Sequence, residues 1–156
     1  MEASIKENSD SKEDVNLLYF AKMKLKLKDI DVHNYSALSL AYIGDAVYEL
    51  AVRTKIVNHG NLQVSKMNKR ASNLAKASTQ AAIIHALKRE LTTEEEAVYK
   101  RGRNAKSATM AKNATMIDYR VATGFEALIG YLYLTEQYER LIVLISRGLE
   151  EAGELE

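Results

Sequence analysis

Two carboxylates stand where a soluble chain has little reason to put them. The segments LSLAYIGDAVYEL and ATGFEALIGYLYL are the most apolar in the sequence, and each holds an acid where helical periodicity predicts burial, Asp45 in the first and Glu126 in the second. An ionised carboxylate in a dry core is costly unless it is paired or bound to a metal. Glycine accompanies both acids, with Gly44 beside Asp45 and Gly124 and Gly130 flanking Glu126. Glycine inside a helix costs about 1 kcal/mol against alanine, so three such positions predict close backbone approach between helices. Two readings stay open. In one, these are ordinary core helices whose acids are half-exposed or paired with Arg53 or Arg120. In the other, Asp45 and Glu126 meet on crossing helices as hard oxygen ligands for Mg²⁺, with several waters retained.

Little else in the sequence competes for chemistry. His33, His59 and His85 have no partner spacing and are assigned structural or surface roles. There is no cysteine, which excludes disulfides and thiolate metal sites, and no glycine-rich phosphate loop or zinc pattern.

The elements that must position the acids read as helices throughout. Proline is absent, so nothing forbids long helices. Ser36 reads as the N-cap of a nearly all-apolar, hence central, helix from Ala37 to about Val57, closed by Asn58, His59 and Gly60. Leu62 to about Ala75 and Ser78 to Leu91 read as two more, the first with Lys66, Lys69 and Arg70 facing outward. Thr93 and Glu96 form a capping-box pattern that opens a short helix to about Arg103. Asn104 to Met116 has no apolar period and reads as a basic loop. Ile117 to Leu134 resumes a buried helical pattern, and Thr135 is expected to cap a last amphipathic helix, Glu136 to about Glu150. Before all of these, Asp14 to Leu27 is a candidate helix with Val15, Leu18 and Met23 inward. The expectation is an all-α chain with a disordered tail at 1–12, one catalytic-sized domain over 13–150 and a short tail at 151–156.

At 156 residues, with 47% hydrophobic and 28% charged residues, the composition is that of one soluble globular domain. The polar N-terminus has no apolar signal core and no segment approaches 18 uncharged apolar residues, so the expected compartment is the cytoplasm. A net charge of +1 hides an uneven distribution: Lys100 to Lys112 holds five basic residues and no acid, whereas Glu90 to Glu96 holds four glutamates.

AYIGDAVYEL resembles the ribonuclease III signature, usually written Glu-Phe-Leu-Gly-Asp-Ala-Val-Leu-Glu-Leu, and TGFEALIGYLYL resembles that family's second acidic segment, Asp-x-Phe-Glu-Ala-Leu-Ile-Gly. The resemblance spans about residues 36 to 148 and is greatest to the reduced branch, Mini-ribonuclease III, which has the catalytic domain alone. It implies a ribonuclease III-like domain of about six to seven helices, without a double-stranded RNA-binding domain. It also implies a Mg²⁺-dependent endoribonuclease that cuts double-stranded RNA, in bacteria during maturation of precursor large-subunit (23S) ribosomal RNA. Carried over by position, Asp45 and Glu126 become the catalytic metal-binding pair and Glu49 a supporting acid. The sequence departs from the full-length family at Ala41 and Thr123, where a glutamate and an aspartate would stand, which leaves the number of metals per site open. Tyr42 takes the place of a family phenylalanine that plugs into the partner subunit; the alternative is an ordinary core tyrosine.

A nuclease core without a reader domain must recognise A-form RNA mainly by shape. Arg101, Arg103, Lys106 and Lys112, with Asn104 and Ser107 among them, suit phosphates and sugar edges; Lys69, Arg70 and Lys76 are second candidates. A solvated charge run is the plainer reading. Two strands need two sites, so a two-fold homodimer is expected, with a ribosomal protein as a further partner that presents the RNA. The competing function is a non-catalytic ribonuclease III-fold RNA-binding protein associated with ribosome assembly. A helical adaptor would need an exposed apolar groove, and the pattern shows none.

Overall fold

The computed structural model of the chain describes residues 16–106 and 115–153. All regular structure among them is helical: seven α-helices, α1 Leu17–Lys24, α2 Ala37–Asn58, α3 Val64–Ala75, α4 Ala77–Leu87, α5 Thr93–Asn104, α6 Met116–Leu134 and α7 Tyr138–Glu151, with 3₁₀ turns at Val32–Asn34 and Lys88–Glu90. The chain divides after Asp31 into two units.

The first unit contains α1. Asn16 accepts a hydrogen bond from the Tyr19 amide at 3.0 Å and starts the helix, and Lys26, at φ 52°, lies beyond its end. The helix is shorter than Asp14 to Leu27. Leu18 is buried but Met23 is exposed, because residues five apart fall on different faces of a helix. Val15 and the expected tail at 1–12 lie outside the described residues, as do 154–156 of the C-terminal tail.

In the second unit the chain starts α2 where expected: the Ser36 hydroxyl accepts from the Ser39 amide at 3.1 Å. It stops at His59 and Gly60, the latter at φ 116°, in the region that favours glycine. The hub is α6, which packs on α2, α5, α4 and, less extensively, α7. Phe125, Ala127, Leu128, Ile129 and Leu132 of α6 are fully buried, and Tyr48 and Val52 of α2, Ile83, Ile84 and Leu87 of α4 and Leu144 of α7 close around them. Fully burying side chains of this kind stabilises by about 1.5–3 kcal/mol each.

Two caps differ from expectation. The box at the start of α5 is Thr92 with Glu95, one residue earlier than Thr93 with Glu96: the Thr92 hydroxyl accepts from the Glu95 amide at 3.1 Å, and the Glu95 carboxylate accepts from the Thr92 amide at 2.9 Å. That phase lets Glu95 turn inward to Arg140 while Val98, Tyr99 and Gly102 face the core. Thr135 ends α6 instead of opening α7; its hydroxyl donates to the Tyr131 carbonyl at 2.7 Å, Glu136 makes the turn at φ 59°, and Gln137 precedes α7. The expected basic loop begins later than Asn104, which is the last residue of α5; Ala105 and Lys106 follow, and 107–114 lie outside the described residues.

Candidate active site

The crossing of α2 and α6 is made by glycine. A methyl group on Gly44 would land on the main-chain carbonyl of Glu126, and one on Gly130 would land on the carbonyl of Leu40. On the other side of α6, Gly102 and Gly124 let α5 pack closely, though less so than α2, with the Tyr99 ring against Gly124. Backbone contact between α2 and α6 therefore brings Asp45 and Glu126 to one place, as the glycine positions predicted.

The electrostatics follow. Glu126 is half-buried, and its carboxyl is pushed up to about 8, first by burial and then by the charge of Asp45. Asp45 is exposed, contrary to the burial expected from periodicity, because it lies at the rim of α2 beside Tyr42 and Ala46; its carboxyl is nevertheless raised, first by desolvation and then by Glu49. Neither acid has an ion pair among the described residues. Arg53 pairs with Glu49, its Nε donating to Oε1 at 3.0 Å, and Arg120 is exposed. The reading in which Arg53 or Arg120 neutralises the acids is thereby set aside. Two facing carboxylates without a counter-ion form a hard, anionic donor set that a divalent cation fits. No group of three or more potential ligands occurs among the described residues, so water and substrate oxygens would complete the coordination. Ala41 is buried and Thr123 donates its hydroxyl to the Tyr119 carbonyl at 2.9 Å, so neither adds a ligand.

Tyr42 is not a core tyrosine. It is 84% exposed, and Leu38, Ala46 and Leu50 lie beside it one helical turn apart, an outward stripe on α2 that sequence patterning did not announce.

The basic residues divide into two kinds. Arg101 donates to the Tyr35 carbonyl at 3.3 Å, while Arg103 lies 5.6 Å from the Tyr99 ring centre and donates to Asn104 Oδ1 at 3.3 Å. These two are partly engaged in their own fold; Lys106 is exposed, and Ser107 and Lys112 lie outside the described residues. Lys66, Lys69 and Arg70, by contrast, are exposed on one face of α3 with no ion pair among the described residues. The signal for them was in the sequence: the forty residues Leu50 to Arg89 contain no acid and eight lysines and arginines. The histidines are at the surface, with His33 3.6 Å from Glu94 and His59 3.3 Å from Lys55 Nζ.

Known proteins resemble the chain over this region. The ribonuclease III domain family matches residues 38–137, which include both acids. A Mini-ribonuclease 3 of Enterococcus faecalis is 47% identical over 126 residues, covering 80% of this chain and 96% of that protein. The Mini-ribonuclease 3 of Clostridium tetani is 49% identical over 71% of this chain and 74% of its own length, and that of Streptococcus pneumoniae 44% identical over 75% and 93%. A crystal structure of a Fusobacterium nucleatum protein superposes with TM-score 0.71 at 31% identity, covering 81% of this chain and all of that one. With its helical fold, glycine-made crossing and paired acids, the chain belongs to the ribonuclease III family, in its Mini-ribonuclease 3 branch, and is an endoribonuclease.

Proposed function

We propose that the chain cuts double-stranded RNA with Mg²⁺ held between Asp45 and Glu126, during maturation of precursor 23S ribosomal RNA in the cytoplasm. The observation that carries this reading is the pair itself, two acids brought together by glycine contacts with no cation among the described residues paired to either. A divalent ion held there by Asp45 and Glu126 would supply Lewis-acid chemistry for water attack on the phosphodiester and for the charge that develops at phosphorus and on the leaving oxygen. The chain's part is placement. Asp45 and Glu126 would hold the ion against rigid helix backbone, and Glu126, whose carboxyl is pushed up to about 8 by burial and by Asp45, would have to be ionised to serve as a ligand. Glu49, clamped by Arg53, adds negative charge beside Asp45 as a supporting acid.

RNA is held by phosphate contacts along two edges, the α3 row of Lys66, Lys69 and Arg70 and the end of α5 with Arg101, Arg103, Asn104 and Lys106; Ser107 and Lys112, outside the described residues, are further RNA-binding candidates. The stripe around Tyr42 on α2 adjoins Asp45 and fits a second copy of the chain, which would set two sites on the two strands; sedimentation showing a monomer at micromolar concentration would remove this element. A ribosomal protein that presents the RNA is a further partner in this reading. The non-catalytic alternative predicts duplex binding without scission. Incubating the purified chain with duplex RNA, with and without Mg²⁺, separates the two: Mg²⁺-dependent cleavage supports the nuclease, and binding without cleavage supports the alternative.

A further inference from the structure

The last turn of α3 leaves its carbonyls to be satisfied without glycine and without a basic residue. Three side chains take them in succession. The Thr79 hydroxyl donates to the Asn73 carbonyl at 2.6 Å, the Tyr48 hydroxyl to Leu74 at 2.7 Å, and Gln80 Nε2 to Ala75 at 3.0 Å. Thr79 and Gln80 are local, from the adjoining α4. Tyr48 is not: it comes from α2, 26 residues away in sequence, and its hydrogen bond is buried.

Tyr48 also sits at the root of the acid pair. It lies three residues after Asp45 on the same helix, fully buried, with its ring 5.4 Å from Phe125 in an edge-on arrangement at 80°, and Phe125 immediately precedes Glu126. One side chain therefore stands on the helix that carries Asp45, packs its ring against that of Phe125 next to Glu126 and, by its hydroxyl, holds the end of the helix that bears Lys66, Lys69 and Arg70. At about 1.5 Å of rise per residue, Arg70, Lys69 and Lys66 lie roughly 6, 7.5 and 12 Å along the helix from the anchored Leu74, so a rotation about that end displaces all three, and Lys66 most.

We propose that Tyr48 is a positioning residue that fixes the register between the cationic row of α3 and the Asp45–Glu126 pair, and so selects which phosphodiester is presented for cutting. This rests on the duplex-cleaving reading above. Loss of the hydroxyl leaves both acids and all the cations in place but frees the angle of α3. Misplacing reacting groups by about 1 Å costs on the order of 100-fold in rate, so a fraction of that displacement gives a loss of at least about fivefold and blurs the cutting position.

The test compares wild type with Tyr48→Phe and Thr79→Val on one end-labelled duplex, under single-turnover conditions in Mg²⁺, with duplex affinity measured separately without divalent ions and folding checked at the assay temperature. Tyr48→Phe is expected to bind the duplex within about twofold of wild type, to cut it at least about fivefold more slowly, and to spread cuts over neighbouring phosphodiesters. Thr79→Val, which removes an equivalent cap from α3 without touching α2, keeps the wild-type cut position. Introduced into a Lys66→Ala, Lys69→Ala, Arg70→Ala background, whose substitutions are all at the surface, Tyr48→Phe shifts the cut position no further. Unchanged rate and position in Tyr48→Phe, equal blurring in Thr79→Val, or a Tyr48→Phe shift that persists without the cations each overturn the proposal. A wild type that binds duplex RNA without cutting it removes the nuclease reading, and this inference falls with it.

Discussion

Glu95 and Glu126 are both shielded from solvent, and they have opposite fates. Glu95 is almost fully buried, yet Arg140 donates to both of its oxygens, at 2.8 and 2.9 Å, and the Thr92 amide donates to it as well. Those hydrogen bonds, led by Arg140, hold its carboxyl below the usual range despite the opposing effect of burial. Glu126 is less buried but faces another acid, and its carboxyl is raised. Burial of an acid is thus not what marks a site. The mark is a buried acid for which the fold supplies no partner, and the same distinction separates the committed cations Arg140 and Arg147, the latter paired with Glu90, from the free ones on α3.

The comparison breaks first on rate. Asp45→Asn and Glu126→Gln should each abolish cutting, by roughly a thousandfold or more, while duplex affinity largely survives. Either variant cutting at near wild-type speed in Mg²⁺ means that the unpartnered acids are not the machinery.

It breaks next on stability. Arg140→Ala leaves Glu95 as an uncompensated charge in the interior, for a loss of about 3 kcal/mol, readable as a fall in the urea midpoint. The corresponding truncation of a cation on α3, such as Lys69→Ala, should change stability by less than about 0.5 kcal/mol. Equal effects at the two sites would erase the distinction between committed and free groups.

The two glutamates should also respond to pH with opposite sign. For Glu95 the folded state favours the ionised form, so its contribution is present above the ordinary carboxyl range and is lost as pH falls through it. For Glu126 the folded state binds the proton more tightly, up to about 8 against an ordinary 4.5. Its protonated form therefore stabilises fully below pH 4.5, and that stability is lost progressively as pH climbs towards 8. Glu126→Gln should accordingly raise stability at pH 9, by about 2 kcal/mol once solvent screening is allowed for, with little effect at pH 4. Metal should narrow the gap by stabilising wild type alone. Thermal melts of both proteins across pH, with and without Mg²⁺, decide this; a variant less stable than wild type at pH 9 contradicts the repulsion between Asp45 and Glu126.

The smallest effect is the salt dependence of RNA binding. Each phosphate contact removed lowers the log-log salt slope by about 0.9 on the B-DNA scale, and somewhat less where RNA counterions are fewer. Replacing Lys66, Lys69 and Arg70 with alanine should approach that change per residue. Replacing Arg101 and Arg103 should give less per residue, since those cations already serve the Tyr35 carbonyl and the Tyr99 ring. The reverse order would move the main grip to α5 and the segment after it.

Much of this was legible in the sequence where the cause is local. Ser36 and Gly60 bound α2 because capping is decided within a turn, and Gly44 and Gly130 announced the crossing of α2 and α6, and Gly124 the approach of α5, because only missing side chains allow them. What escaped depends on distant partners. Thr92 with Glu95 and Thr93 with Glu96 are locally equivalent boxes, and Arg140, 45 residues away, favours the first. Thr135 has the chemistry of an N-cap but turns back onto Tyr131. The reach of Tyr48 to Leu74 is likewise set by packing, to which a run of apolar letters is blind.

Lys76 is at once the last cap of α3 and the first of α4, so a single residue makes the corner. One inserted residue there would turn everything downstream by about 100° on the helix wheel, carrying Ile83, Ile84 and Leu87 off the core and parting Thr79 and Gln80 from their carbonyls. The bend after α2 is the opposite: residues 59–61 are exposed, and a side chain built on Gly60 would meet nothing within 4 Å. Added length, whether a tag or a natural insertion, is absorbed at Gly60 and refused at Lys76.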